Sequence, residues 1–125
     1  MHTVARTKPF DAAAKQADLS EDEIFDMITF LAENPEAGEE VPGTGGCRKV
    51  RFAGRSKGKR GGYRTITFYT GEKMPVFLIT VFGKGEKVTL TGKEAAGLKA
   101  LTKLIVDEYK KKVSSLAERR KGLAG

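Results

Sequence analysis

The chain is short of the residues on which many enzyme and metal chemistries depend. Its 125 residues include one cysteine, Cys47, and one histidine, His2. A lone cysteine cannot close an internal disulfide, which fits a reducing cytosol. One Cys and one His cannot assemble a structural zinc site, so no metal ligand is assigned. Cys47 has no base identifiable near it, and a small buried residue is the simpler reading than a nucleophile. No apolar run approaches the ~18–20 residues needed to span a bilayer, so no membrane partner is expected. The opening residues, MHTVARTKPF, hold no apolar stretch of signal-peptide length. The glycines of residues 54–62 lack the G-x-x-x-x-G-K-[ST] spacing of a phosphate loop. No internal repeat is visible. No cofactor is implied.

Two local absences of charge say more. Residues 18–40 contain nine Asp/Glu and no Lys/Arg. Residues 47–64, CRKVRFAGRSKGKRGGYR, contain eight Lys/Arg and no acid. The net charge of +7 is therefore concentrated rather than spread. A dense cationic surface suits a polyanion, of which nucleic acid is the commonest. The acidic stretch reads either as a solvated helix face or as a surface for a protein partner.

The length fits one domain with a single core, set at residues 1–112, with residues 113–125 as a charged, frayed tail. Residues 4–8 are extended in character. Pro9 can open a short helix through residue 17. A clearer helix starts at Ser20, whose spacing to Glu23 is that of a capping box, and stops at Asn34-Pro35. Phe25, Ile28 and Leu31 are expected to form its core stripe, together with Ile24. Residues 36–46 are a turn-rich connection. Residues 48–53 alternate, with Val50 and Phe52 on one side and Lys49 and Arg51 on the other. A basic, glycine-rich loop follows at residues 54–62, and then a strand at 63–70. Residues 76–82 are nearly all apolar, as a strand covered on both faces would be. Thr91 and Glu94 repeat the capping-box spacing before a last helix, residues 93–112, striped by Leu98, Leu101, Ile105 and Tyr109. The expected class is α+β, in the order β-α-α-β-β-β-α. It is a small antiparallel sheet with helices packed on one face and Lys49 and Arg51 on the other.

With this order in place, the chain resembles the RelE/ParE superfamily of bacterial type II toxin–antitoxin toxins, on the RelE/HigB-like ribonuclease side. The resemblance rests on Cys47-Arg48-Lys49-Val50-Arg51-Phe52, on Gly62-Tyr63-Arg64 after a basic glycine loop, and more weakly on residues 81–87, VFGKGEK. It covers roughly residues 3–112. It implies a metal-independent endoribonuclease that cuts mRNA, often on the ribosome, and so inhibits translation. It also implies a cognate antitoxin, often a helix-turn-helix protein encoded next to the toxin. By position, the resemblance assigns catalytic roles to Lys49, Arg51 and Arg64, and places a further basic residue among Lys84 and Lys87. Gly85 falls where some members carry an arginine, and Thr91 where some place a tyrosine, so the general acid is unassigned.

Such cleavage uses the ribose 2′-OH as nucleophile, leaving a 2′,3′-cyclic phosphate and a 5′-OH. It needs a base, cations for the developing charge and a proton for the leaving oxygen. A lysine can act as base where neighbouring cations favour its neutral form, which makes Lys49 the candidate. Arg51 and Arg64 suit phosphate clamping, because the guanidinium fork is planar and stays protonated. Lys84 or Lys87 can be a second cation or an acid. Arg48 is expected on the opposite strand face from Lys49. With Arg55, Lys57, Lys59 and Arg60, it is assigned to RNA or ribosome contact rather than chemistry. Tyr63 or Tyr69 can stack on a base or pack in the sheet. Two other readings compete with the ribonuclease: a ParE-like, non-catalytic toxin acting on DNA gyrase, and a small nucleic-acid-binding regulator.

Overall fold

The computed structural model describes residues 2–53, 62–71, 73–83 and 90–124, with side chains described as far as Ala117. The elements run β1 (Val4–Arg6), α1 (Lys8–Gln16), α2 (Glu21–Glu33), β2 (Glu39–Glu40), β3 (Cys47–Phe52), β4 (Tyr63–Phe68), β5 (Val76–Phe82) and α3 (Gly92–Ala124). The strands form one five-stranded sheet in the order β1-β5-β4-β3-β2. Strands β3, β4 and β5 meander antiparallel, as their short connections require, while β1 pairs parallel to β5. The α+β class is as the sequence implies, with the two-residue β2 added at the edge.

Local chemistry starts each helix. Thr7 caps α1: its Oγ1 accepts from the Phe10 N–H at 3.3 Å and donates to the Leu78 carbonyl at 2.7 Å. One hydroxyl thus ties the start of α1 to β5. Arg6 adds ion pairs to Asp11 at 2.7 Å and to Glu21 at 3.0 Å, clasping β1 to both helices. Ser20 and Glu23 form the expected capping box, each bond at 3.1 Å. Asn34 ends α2, as expected before Pro35. The second box also forms: Thr91 N–H donates to Glu94 Oε1 at 3.0 Å, and Glu94 N–H to Thr91 Oγ1 at 3.1 Å. The helix it opens continues well past Lys112, where the sequence suggests a tail, as far as Ala124.

The core has two layers. Phe10, Ala14, Ile24, Met27 and Leu31 of α1 and α2 bury against Val50, Tyr63, Val76, Leu78 and Val81 on one face of the sheet. On the other face Cys47, Ile66, Phe68, Phe77 and Ile79 meet Leu98, Leu101, Ile105, Val106 and Tyr109 of α3. The Phe77 and Tyr109 rings stand edge to face at 5.9 Å. Helices therefore lie on both faces, not on one. The sheet is apolar on both sides of β4 and β5, and α1 and α2 can cover only one of them. Within α2, the stripe is Ile24, Met27 and Leu31 with Ile28 half-buried, while Phe25 is 64% exposed. At about 100° per residue, Phe25 is turned away from the face that Ile24 and Ile28 share.

A bulge divides β5. Ile66 pairs with Thr80 but Thr67 pairs with Leu78, so Ile79 is the extra residue. Leu78 and Val81 consequently both face α1 and α2, while Phe77 and Ile79 face α3. One strand serves both layers by breaking its own alternation. Its apolar run is thereby explained, since both faces are buried along most of its length.

Candidate functional site

The alternation of β3 decides which side chains meet. Cys47, Lys49 and Arg51 point to the α3 side of the sheet, and Arg48, Val50 and Phe52 to the α1/α2 side. On the face of α3, Cys47, Ile66, Phe68, Phe77 and Ile79 are buried. The end away from Cys47 carries Arg51 and Arg64.

These two arginines are direct partners in the β3–β4 register. Cross-strand partners share a face with Cβ atoms about 4.5–5.5 Å apart, and like charges placed so are destabilising. Arg64 is in turn paired with Phe82 on β5. Arg51 is exposed and Arg64 half-buried. Lys49, also half-buried, lies in the next row between Ile66 of β4 and Glu39 of β2. Among the described residues, the ion pairs recorded are both those of Arg6, remote from this face. The sheet thus brings together three of the catalytic residues expected from the resemblance: Lys49, Arg51 and Arg64.

Two glycines make the arrangement possible. Gly62, at φ +61°, brings the chain back into β4 one residue before Tyr63. A Cβ there would run into the Phe52 carbonyl oxygen and sit 2.9 Å from Ala53 Cα. Gly38, at φ +95°, lets β2 approach β3; a Cβ there would overlap the Lys49 carbonyl and lie 2.8 Å from Val50 Cγ2. Both positions favour glycine for its φ as well as for space.

Other candidates are placed apart. Arg48 lies across the sheet from the cluster, opposite Glu40 and Thr67, and its Nη1 donates to the Gly38 carbonyl at 3.2 Å. It fastens the edge strand and does not join Lys49. Arg55, Lys57, Lys59, Arg60, Lys84 and Lys87 lie outside the described residues. Cys47 is fully buried, and burial pushes its thiol up from the ordinary range. A buried, protonated sulfur is a poor nucleophile. Tyr63 is buried in the core, so packing accounts for it. Tyr69 bonds His2 Nε2 at 2.9 Å, with the rings edge to face at 5.2 Å. His2 also donates its backbone N–H to the Ala32 carbonyl at 2.9 Å, so it is docked against the end of α2. Among the described residues, no group of three or more His, Cys, Asp or Glu could hold a metal, and no helix is long and apolar enough to cross a membrane. The residues missed from the sequence are those of β2. Two residues show no periodicity; the one signal was Gly38 immediately before them.

The model of the family described as the RelE toxin of the RelE/RelB toxin–antitoxin system matches residues 2–123. The chain belongs to the RelE toxin family. Among solved structures, one that is similar is E. coli toxin RelE, a double arginine-to-alanine mutant in the free state. It is 22% identical over 68% of this chain and 84% of that one, with a TM-score of 0.46. As a member of this family the protein is the toxin of a toxin–antitoxin system, and an antitoxin is its partner.

Proposed function

We propose that this RelE-family toxin is a metal-independent mRNA endoribonuclease of the RelE/HigB-like kind, acting on the ribosome in the cytoplasm and inhibiting translation. The observation that carries the reading is the direct opposition of Arg51, exposed, and Arg64, half-buried, on one face of the sheet. Two guanidinium groups so placed repel each other in the free protein, and a phosphate between them turns that repulsion into attraction. The cations of this face are arranged for the charge that develops on a phosphorus under attack.

The roles follow from side-chain chemistry. Arg51 and Arg64 clamp the non-bridging oxygens. Lys49, one row away, is the member of the three able to move a proton. Lys84 and Lys87, just beyond the end of β5, supply a further cation or the acid. Arg55, Lys57, Lys59 and Arg60 hold RNA by phosphate contact. On a ribosome, an mRNA forced into an in-line geometry gives the proximity that a small site lacks. The antitoxin, a helix-turn-helix protein encoded adjacently, covers the basic face or displaces α3.

Primer extension on mRNA after brief induction tests the reading, beside an Arg64→Ala control. New cuts within coding sequence that the control lacks are expected, with the control slower by ~10²–10³-fold. Growth arrest with intact mRNA refutes it and points to gyrase instead. Undiminished cleavage by the control refutes the clamp.

A further inference from the structure

Among the described strand residues the acids are Glu39 and Glu40, both on β2. Their places are not equivalent. Glu39 is paired with Lys49 and Glu40 with Arg48. Because paired residues share a face, Glu39 stands on the side of Lys49, Arg51 and Arg64, and Glu40 on the other. Among the described strand residues, the charged side chains of this face are thus three cations and one carboxylate on the margin. It is exposed, next to Lys49. Its position is fixed through the preceding residue: Gly38 packs against the β3 backbone, and Arg48 donates to the Gly38 carbonyl at 3.2 Å.

Attack by a 2′-OH needs a proton acceptor and a proton donor at the same linkage. An ionised carboxylate is an acceptor only, and an ammonium a donor only. Arginine stays protonated and serves neither end. With Cβ atoms about 4.5–5.5 Å apart, the Glu39 and Lys49 heads can reach one ribose–phosphate step together.

On the ribonuclease reading of this face, we infer that Glu39 is a catalytic residue: its carboxylate takes the proton of the attacking 2′-OH, and Lys49 gives one to the leaving oxygen. The O2′ electron pair forms the new bond to phosphorus. The bond from phosphorus to O5′ breaks with its pair on O5′, which takes a proton from the Lys49 ammonium. The protonated Glu39 then returns its proton to Lys49 across the strand pair. The products are a 2′,3′-cyclic phosphate and a 5′-OH, with no net proton gained or lost. Lys49 is thereby the acid, not the base that the sequence suggests, and the missing acid is found.

The test is single-turnover cleavage of a ribosome-bound mRNA, with either oxygen or sulfur at the 5′-bridging position of the cut. A thiolate leaves without needing a proton. Glu39→Gln is expected to be slower by ~10²-fold or more on both substrates. Lys49→Ala is expected to be slow on the oxygen substrate and largely restored on the sulfur one. Glu40→Gln, one residue along the same short strand, is expected to cut at the parent rate, and so separates chemistry from loss of β2. Parent-like cleavage by Glu39→Gln overturns the proposal, as does rescue of that variant by sulfur. If Arg51→Ala and Arg64→Ala are slow while Glu39→Gln is not, the ribonuclease reading stands and the Glu39 assignment falls. If the parent cuts neither substrate, both fall.

Discussion

Replacing Gly62 with alanine should disrupt the protein far more than one methyl group would suggest. The residue sits at φ +61°, where a side chain costs about 1–2 kcal/mol. Its new Cβ would also overlap the Phe52 carbonyl oxygen and crowd Ala53 Cα at 2.9 Å. Both obstacles are backbone atoms, so no rotamer change relieves them and the ends of β3 and β4 must separate. Forcing packed atoms apart in this way adds roughly 1–3 kcal/mol. The total is about 2–5 kcal/mol. For a chain near this size, at roughly 4 °C per kcal/mol, the melting temperature should fall by about 8–20 °C. Gly97, exposed in α3 with open space around it, provides the matched control. There the same substitution should stabilise by about 0.5–1 kcal/mol, because alanine has less freedom to lose on entering a helix. Thermal unfolding followed by circular dichroism reads both. A Gly62→Ala protein melting within about 2 °C of the parent would refute the steric argument.

Two further outcomes can be checked in the same way. Burial raises the Cys47 thiol, so the folded state holds that proton more tightly than the unfolded chain does. The associated stability is complete below the ordinary thiol range of about 8.5 and drains away as pH rises through the higher folded value. Urea titrations from neutral to alkaline pH should therefore show the parent losing stability faster than Cys47→Ala, and parallel profiles would contradict this. Gly38→Ala should detach β2 from β3, at a cost of about 1–3 kcal/mol, and slow RNA cleavage as Glu39 is displaced from Lys49. Unchanged cleavage would show that β2 has no part in the chemistry.

Much of the architecture was legible because local rules and tertiary demands agree. Ser20 with Glu23 and Thr91 with Glu94 are capping boxes in sequence and in space. The apolar run of β5 stands for two covered faces, and it has them. What escaped depends on information that periodicity does not carry. The stripe Leu98, Leu101, Ile105 and Tyr109 shows that α3 has an apolar side, but not which face of the sheet it meets. Phe25 is as hydrophobic as its neighbours, yet it lies off the buried sector of α2. Strand β2 is made by the close approach at Gly38 and not by any pattern in Glu39 and Glu40. For the site, alternation alone puts Lys49 and Arg51 on one face. The opposition of Arg51 and Arg64 is a matter of register, which the loop at residues 54–62 leaves open until the Phe52–Tyr63 pair fixes it.

The extra residue in β5 gives this strand one place where it can change its length, beside several where it can change its letters. Val76, Leu78 and Ile79 can be exchanged for apolar residues of similar volume at a cost of about 1.5 kcal/mol or less. Deleting Ile79 is a different kind of event. It would remove the bulge and leave Thr67–Leu78 and Ile66–Thr80 as successive pairs, so Val81 would keep its place in the core and Phe82 its side of the sheet, and only the packing of Ile79 in the α3 layer would be lost. A lineage can thus drop this one codon and keep the end of the strand the right way out, whereas losing the regularly paired Val81 would turn Phe82 to the other face.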